Sequence, residues 1–432
     1  MISLWNKTTQ LPSFPRLTGD ASTGVLIIGG GITGILCAYM MHQARVPYLL
    51  VEADSICRKT SGNTTAKITS QHGLIYAKLL RQLGREKARM YLDANEDALR
   101  TYRRLAQEFP CGFEEKNAYV YSPYQRKPLE EELRALHQLG YPATLDEDTP
   151  LTFPVAGAVG FPNQAQFHPL EFVRQIVPDL HIHEHTPVVD VENQYARTPY
   201  GTITADHIIS ATHFPVTDRH GLYFMKLYQQ RSYVLALENA GDVQGMYIDP
   251  MPGGLSFRNY DNLLLLGGGG HRTGKQGGKW DKLRSFARCH YPRSRVAYVW
   301  AAQDCMSLDQ IPYIGRYSSR ASHLYVASGF NKWGMTSAMA AAKILTDMVQ
   351  GRENPYAAVF SPARSMLRPQ LLINGWEFAA RFFTPSSQRC SHMGCSLRWN
   401  SHEHTWDCPC HGSRFTENGY LIETPAMKNL DE

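Results

Sequence analysis

Val25-Leu26-Ile27-Ile28-Gly29-Gly30-Gly31-Ile32-Thr33-Gly34 is the stretch on which the fold turns. Val25–Ile28 reads as a buried strand, the glycines as a turn, Ile32–His42 as an apolar helix and Tyr48–Glu52 as a second strand, a βαβ opening. Gly29, Gly31 and Gly34 stand in the G-x-G-x-x-G places. Gly29 permits the tight turn, Gly31 lets backbone approach a pyrophosphate, and Gly34 lets the helix pack close to the sheet. Phosphates would then sit on the helix N-terminus at Ile32 and Thr33, where free N–H groups and the dipole favour negative charge. Glu52, 18 residues past Gly34, is placed to accept from a ribose hydroxyl. The competing reading is a plain glycine turn; strand, helix and acid in register outweigh it. Glu52 does not separate NAD from FAD, since both carry that ribose. A second fingerprint, common in flavin reductases that draw on NAD(P)H, fails at Gly267–Gly270, where Thr273 stands in place of the needed glycine. One dinucleotide is expected.

Outward from this stretch the 432 residues allow two to four domains at roughly 100–200 residues each. With 43% hydrophobic and 19% charged residues the chain is neither disordered nor fibrous. A net charge of +5 without a Lys/Arg block argues against nucleic acid. Val25–Met41 is short for a membrane span and holds four glycines, so no transmembrane segment is expected. No basic start precedes an apolar run, and the expected compartment is the cytoplasm. Leu74–Phe109 reads as helix with a break near Gly84. Short β-like runs fill Ala118–Arg295, with a helix at Glu130–Leu139. An α/β signal returns at Leu324–Ala327 and the helix Thr336–Val349, and Pro355–Pro369 reads as linker.

Nine cysteines are unevenly spread, and Cys390, Cys395, Cys408 and Cys410 fall within 21 residues. Cys390-x-His392, then 15 residues, then Cys408-x-x-His411 offers two thiolates and two imidazoles. That set suits zinc, or a 2Fe–2S cluster with both histidines on one iron. Gly394 and Gly412 permit tight loops whose N–H groups can point at bridging sulfides, and Cys395 and Cys410 each sit beside one ligand pair.

The N-terminal part resembles the D-amino-acid-oxidase-like superfamily of FAD-dependent oxidoreductases. The likeness rests on Gly29–Gly34 with Glu52, on Thr60–Lys67, on Gln166-Phe167-His168-Pro169, on Asp309–Gly315 and on Gly329-Phe330-Asn331-Lys332-Trp333-Gly334-Met335. It implies FAD, with its adenosine end at Gly29–Glu52, Thr65 and Gly329 nearby, the backbone of Val188 at the adenine and Gly334-Met335-Thr336 at the N1/O2 edge of the flavin. The C-terminal part resembles the Rieske iron–sulfur domain through Cys390-Ser391-His392-Met393-Gly394-Cys395, Cys408-Pro409-Cys410-His411-Gly412-Ser413 and Thr424-Pro425-Ala426. The implied metal ligands are Cys390, His392, Cys408 and His411, and Cys395–Cys410 is expected as a disulfide tying the loops. The usual β base before the first box is missing, so the segment is expected to lean on the flavoprotein. Phe415 stands where high-potential members carry Tyr, which places this centre below the top of the range of roughly −150 to +300 mV.

The expected fold class is therefore α/β, a Rossmann-type FAD-binding domain with an interleaved α+β substrate domain and a small C-terminal cluster segment. The oxidoreductase domain is expected over 20–350, with FAD-binding parts at about 22–75, 166–215 and 306–350 and substrate parts at about 76–165 and 216–305. A linker (351–385) and a truncated Rieske domain (386–432) follow. Flavin takes two electrons as a hydride and a Rieske cluster carries one, so the pair converts between them. The expected activity is a dehydrogenase acting on an amine or amino-acid-like substrate, with an external one-electron partner, protein or quinone; the alternative is a redox relay or sensor without its own substrate. Catalytic candidates are His168, His271, Arg272 (as a carboxylate clamp) and Lys332.

Overall fold

A computed structural model describes residues 2–217, 221–275 and 280–430. Two large sheets share the work. In the first, the parallel strands run in the order Ala321–Ser328, Gly201–Ser210, Ala21–Ile28, Tyr48–Val51 and Ile182–His183, with Tyr313–Ser318 antiparallel at the far edge. Val25–Ile28 is buried on both faces, which is why it reads as an unbroken apolar run rather than an alternating one. The buried helices Ile32–Gln43 and Gly334–Val349 pack on this sheet and on each other.

The second sheet is mostly antiparallel and spans Arg295–Ser307, Leu227–Glu238, Leu263–Arg272, Ser256–Tyr260, Met246–Ile248, Glu114–Ser122, Gly157–Gln166 and Lys67–Ile68. Its strands come from segments on either side of Gly201–Ser210, so the two sheets are interleaved in sequence as expected. The long helix Tyr76–Glu108 is broken at Gly84, whose φ of 79° leaves the helical region. Gly267–Gly270 lies inside the strand Leu263–Arg272 rather than in a strand-to-helix turn.

The stretch read as a linker is structured. Val359 and Phe360 are buried, and Pro369–Phe383 is a 15-residue helix. Four short antiparallel strands follow, Arg398–Asn400, Thr405–Asp407, Arg414–Thr416 and Leu421–Glu423. The two Cys/His boxes and the Thr424-Pro425 loop occupy the turns around this small sheet.

Candidate functional site: two cofactor cradles sharing a wall

A cavity of about 860 Å³ runs between the two large sheets, lined among others by Gly29, Gly31, Ile32, Thr33, Glu52, Thr65, Val188, Gly329, Gly334 and Met335. Both helix N-termini, at Ile32 and at Gly334, open onto it, so two positive dipole ends face one space. The glycines leave space that side chains would fill. Gly29 holds φ at 110°, with Ala211 O 3.0 Å from where a Cβ would stand; a Cβ on Gly34 would overlap the Gly29 carbonyl oxygen. Gly31 leaves its side of the cavity bare, with only Ser61 Oγ within reach of a Cβ, at 3.2 Å. The Glu52 carboxylate accepts from the N–H groups of Gly30 (2.6 Å) and Asp54 (2.9 Å), fixed at the rim of the cradle. Thr336 lies just behind the wall, its hydroxyl donating to Thr69 O at 3.1 Å.

Sequence reasoning missed His72. It is buried, stacks on Trp333 (4.8 Å between centroids) and lines the cavity. Nε2 lies 2.9 Å from Thr69 O, which can only accept, so Nδ1 accepts from Tyr91 Oη at 2.7 Å. Burial lowers His72 to about 3, a neutral ring. Lys67 also lines the cavity, and burial, with Arg258 adding repulsion, lowers it to about 7. His72 sits in no motif that could have announced it, and Lys67 ends the Thr60–Lys67 stretch without a spacing that marks it as a titrating group.

The catalytic candidates divide. His168 is corrected: it caps the helix Pro169–Ile176, accepting from Glu171 N, and packs on Trp5 and Tyr260 away from the cavity. Arg272 is corrected as a carboxylate clamp. Its Nε donates to Pro409 O (2.8 Å), Nη2 to Cys410 O (2.9 Å) and Nη1 to Asn374 Oδ1 (3.0 Å), so the guanidinium is spent on the second cysteine box. His271 lines the cavity and bonds Tyr233 Oη at 2.9 Å. Lys332 reaches into the cavity and donates to Ser232 Oγ at 3.0 Å; its enclosure by protein lowers its pKa, opposed by Asp304.

The C-terminal boxes converge. Cys390, Cys395, Cys408 and Cys410 are all buried, and the sulfurs of Cys395, Cys408 and Cys410 lie within 4.8 Å of one another. All nine cysteines are free thiols, so the expected Cys395–Cys410 bond is not formed here, although those sulfurs are adjacent. The His392 and His411 rings are 5.0 Å apart. Burial, with His392 and Arg272 close by, lowers His411 to about 3, and its buried Nδ1 has no hydrogen-bond partner. A neutral imidazole with an orphaned nitrogen beside a nest of buried thiols is a donor set that fits a metal cluster. Ser413, fully buried, bonds the Cys390 side chain and accepts from Ala426 N at 2.9 Å, tying the first box to the proline loop.

This segment is seated on the strands of the second large sheet. Gln229 Nε2 donates to His411 O (2.8 Å) and Thr424 O (3.0 Å), and Gln303 Nε2 donates to Gly412 O (2.9 Å). At Gly274, with φ of 74°, Pro409 N comes to 2.5 Å of a would-be Cβ, so only glycine allows the approach. Beside it Arg231 and Arg414 grip the buried Glu403, and Arg414 also bonds Asp407 at 2.9 Å. Burial would raise Glu403, but Arg231 and Arg414 hold it down to about 2. The cavity and the cysteine nest share a wall: Phe214, Thr424, Pro425 and Met427 line the cavity, and the Phe214 ring lies 6.1 Å from both His392 and His411.

A dinucleotide cradle opening on a Cys/His nest defines a flavoprotein oxidoreductase joined to an iron–sulfur segment. The model of the FAD dependent oxidoreductase family (DAO) matches residues 24–348, and that of the Rieske [2Fe-2S] domain matches residues 383–432. The chain belongs to the FAD dependent oxidoreductase family and ends in a Rieske domain, and its cofactors are FAD and a 2Fe–2S cluster. It is 34% identical to YhfW of Bacillus subtilis (strain 168), described as a Rieske 2Fe-2S iron-sulfur protein, in an alignment covering 99% of this chain and 96% of that one. In fold it is similar to glycine oxidase from Geobacillus kaustophilus (TM-score 0.66, 16% identity, 80% of this chain and 100% of that one). It is also similar to L-proline dehydrogenase from P. horikoshii (TM-score 0.65, 16% identity, 81% and 98%). Among the described residues no helix is long and apolar enough to cross a membrane.

Proposed function

We propose that this oxidoreductase is a cytoplasmic dehydrogenase that oxidises the C–N bond of an amine or amino-acid-like substrate and passes single electrons to an external acceptor. The supporting observation is the shared wall, in which one aromatic ring, Phe214, separates the cavity from the two imidazoles of the cluster nest. The glycine oxidase and proline dehydrogenase likenesses support the amine class. When bound, FAD supplies two-electron hydride acceptance and the cluster one-electron transfer. The chain's residues set the stage for both. Gly29, Gly31, Ile32 and Thr33 hold the pyrophosphate, Glu52 the ribose, Val188 the adenine end, and the helix start at Gly334-Met335 the electron-rich edge of the ring. Cys390, His392, Cys408 and His411 would hold the cluster, and Cys395 and Cys410, whose sulfurs are adjacent, would close to a disulfide by exchange with a disulfide oxidant. Lys67, poised near neutrality, takes the proton that an ammonium substrate must lose, and His72 stays neutral against Trp333 to orient that end of the cavity.

Anaerobic stopped-flow mixing with a panel of amines and amino acids tests this reading. An active substrate bleaches the flavin and then produces the EPR signal of a reduced Rieske centre within the same turnover. Flavin bleaching that leaves the cluster oxidised removes the internal transfer; no bleaching by any amine removes the substrate class.

A further inference from the structure

The helix Pro369–Phe383 is built inside out. Its polar residues face the protein: Asn374 accepts from Arg272 and donates to Met225 O (3.2 Å), and Glu377 pairs with Lys275 (3.1 Å) and Arg381 (3.3 Å). Those bonds fix the rotation of the helix and leave its apolar stripe outside. Leu372, Trp376 and Phe383 are 77%, 76% and 78% exposed, with Ile373 and Phe382 beside them and Leu367 just before the helix. A surface helix ordinarily does the reverse.

We propose that this stripe docks on an anionic lipid surface, the helix lying in the plane of the interface. Three observations select lipid over a protein partner. Between Leu371 and Phe383 the exposed residues are Leu372, Ile373, Gly375, Trp376, Phe382 and Phe383, none with a polar side chain, whereas protein interfaces carry a hydrogen bond every 100–200 Å² or so. Flanking the helix, Arg368, Arg389 and Arg398 keep at least part of their surface in solvent, while Arg364 is mostly buried on Asp309 and the helix's one acid, Glu377, is buried beneath it. Trp, Phe and Leu on one face with arginines at the margins is the composition of helices that lie at the headgroup boundary. At 1.5 Å per residue the helix runs about 22 Å, suited to lying on a bilayer and too short to cross one. Its inner side touches the cluster nest: Phe378 stands 6.0 Å from the His411 ring. Docking would bring the cluster end of the molecule to the membrane.

The test is co-sedimentation of the purified holoprotein with extruded vesicles, read by flavin absorbance. Wild type should pellet with phosphatidylglycerol/phosphatidylcholine vesicles, more weakly with phosphatidylcholine alone and less at high salt. Ile373→Glu/Trp376→Glu, with flavin and cluster content unchanged because both residues are exposed, should weaken binding about 100-fold. Arg368→Gln/Arg389→Gln should weaken it about 30-fold at low salt. Wild type remaining in the supernatant with anionic vesicles would overturn the proposal, as would a double Glu variant that pellets as well as wild type. A wild-type dimer that Ile373→Glu/Trp376→Glu turns into monomer would overturn it too, by showing that a second copy covers the stripe.

Discussion

Glu403→Gln should loosen the seat of the cluster segment while sparing the flavin cradle. Glu403 is buried between Arg231 and Arg414, whose side chains are 7% and 4% exposed. Moving its carboxyl from the ordinary 4.5 to about 2 is worth about 3 kcal/mol at 1.36 kcal/mol per pH unit. Removing one partner of a buried pair costs about 3–5 kcal/mol, because the cation left behind stays desolvated. Arg414 keeps Asp407, so the stranded charge is Arg231. The folded pKa is depressed, so this contribution is complete above about pH 4.5 and is lost as pH falls through 2. The variant should therefore lack it at pH 7, and the difference from wild type should shrink toward pH 2. Hydrogen exchange followed peptide by peptide is the assay: protection should fall across Arg398–Glu423 and hold across Ala21–Ile28. Replacing Arg231 and Glu403 together with Met and Leu should restore much of that protection, since apolar replacement of a whole buried pair is often tolerated. Unchanged protection of the cluster segment in Glu403→Gln at pH 7 would refute the reasoning.

Gly34→Ala, whose Cβ has no room beside Gly29 O, should lose both flavin and stability, whereas Gly31→Val should fold and lose flavin alone; full yellow colour in the latter removes Gly31 from the cradle. Metal analysis should give two irons and two labile sulfides per chain, the stoichiometry of one 2Fe–2S cluster, and Cys408→Ser should abolish both; one zinc without sulfide contradicts the ligand set. Alkylation and mass analysis of denatured holoprotein should find Cys395 and Cys410 protected as a disulfide, and Cys395→Ser/Cys410→Ser should keep some cluster but lose it faster on warming. The rate of flavin reduction by amine should rise through about pH 7 as Lys67 loses its proton, and Lys67→Met should erase that inflection.

The fingerprint and the cluster boxes were legible because their chemistry is local. Strand, turn, helix and acid lie within residues 25–52, and each Cys/His pair is carried by one short loop. The helix break at Gly84 was legible for the same reason, since one glycine causes it. What stayed hidden depends on partners distant in sequence. His168 serves as a cap because Thr8, Trp5 and Tyr260 close around it. Arg272 is occupied because a segment 137 residues later comes to rest on it. His72 acquires its place only when the helix starting at Gly334 brings Trp333 over its ring. The helix Pro369–Phe383 was hidden by its inversion, because its inward face carries the polar residues that a linker would show to water.

The cluster loops rest on Gln229, Gln303 and Gly274, which belong to the other domain. A piece of fewer than fifty residues cannot bury enough surface to hold its own shape without help. The flavoprotein sheet thus offers a mould, and loading of iron and sulfide is expected to depend on loops already pressed against it. Residues 386–432 made alone should emerge as an unstructured peptide that machinery for cluster delivery has nothing to fill. A flavoprotein arrested in folding should accumulate without iron even where iron is plentiful.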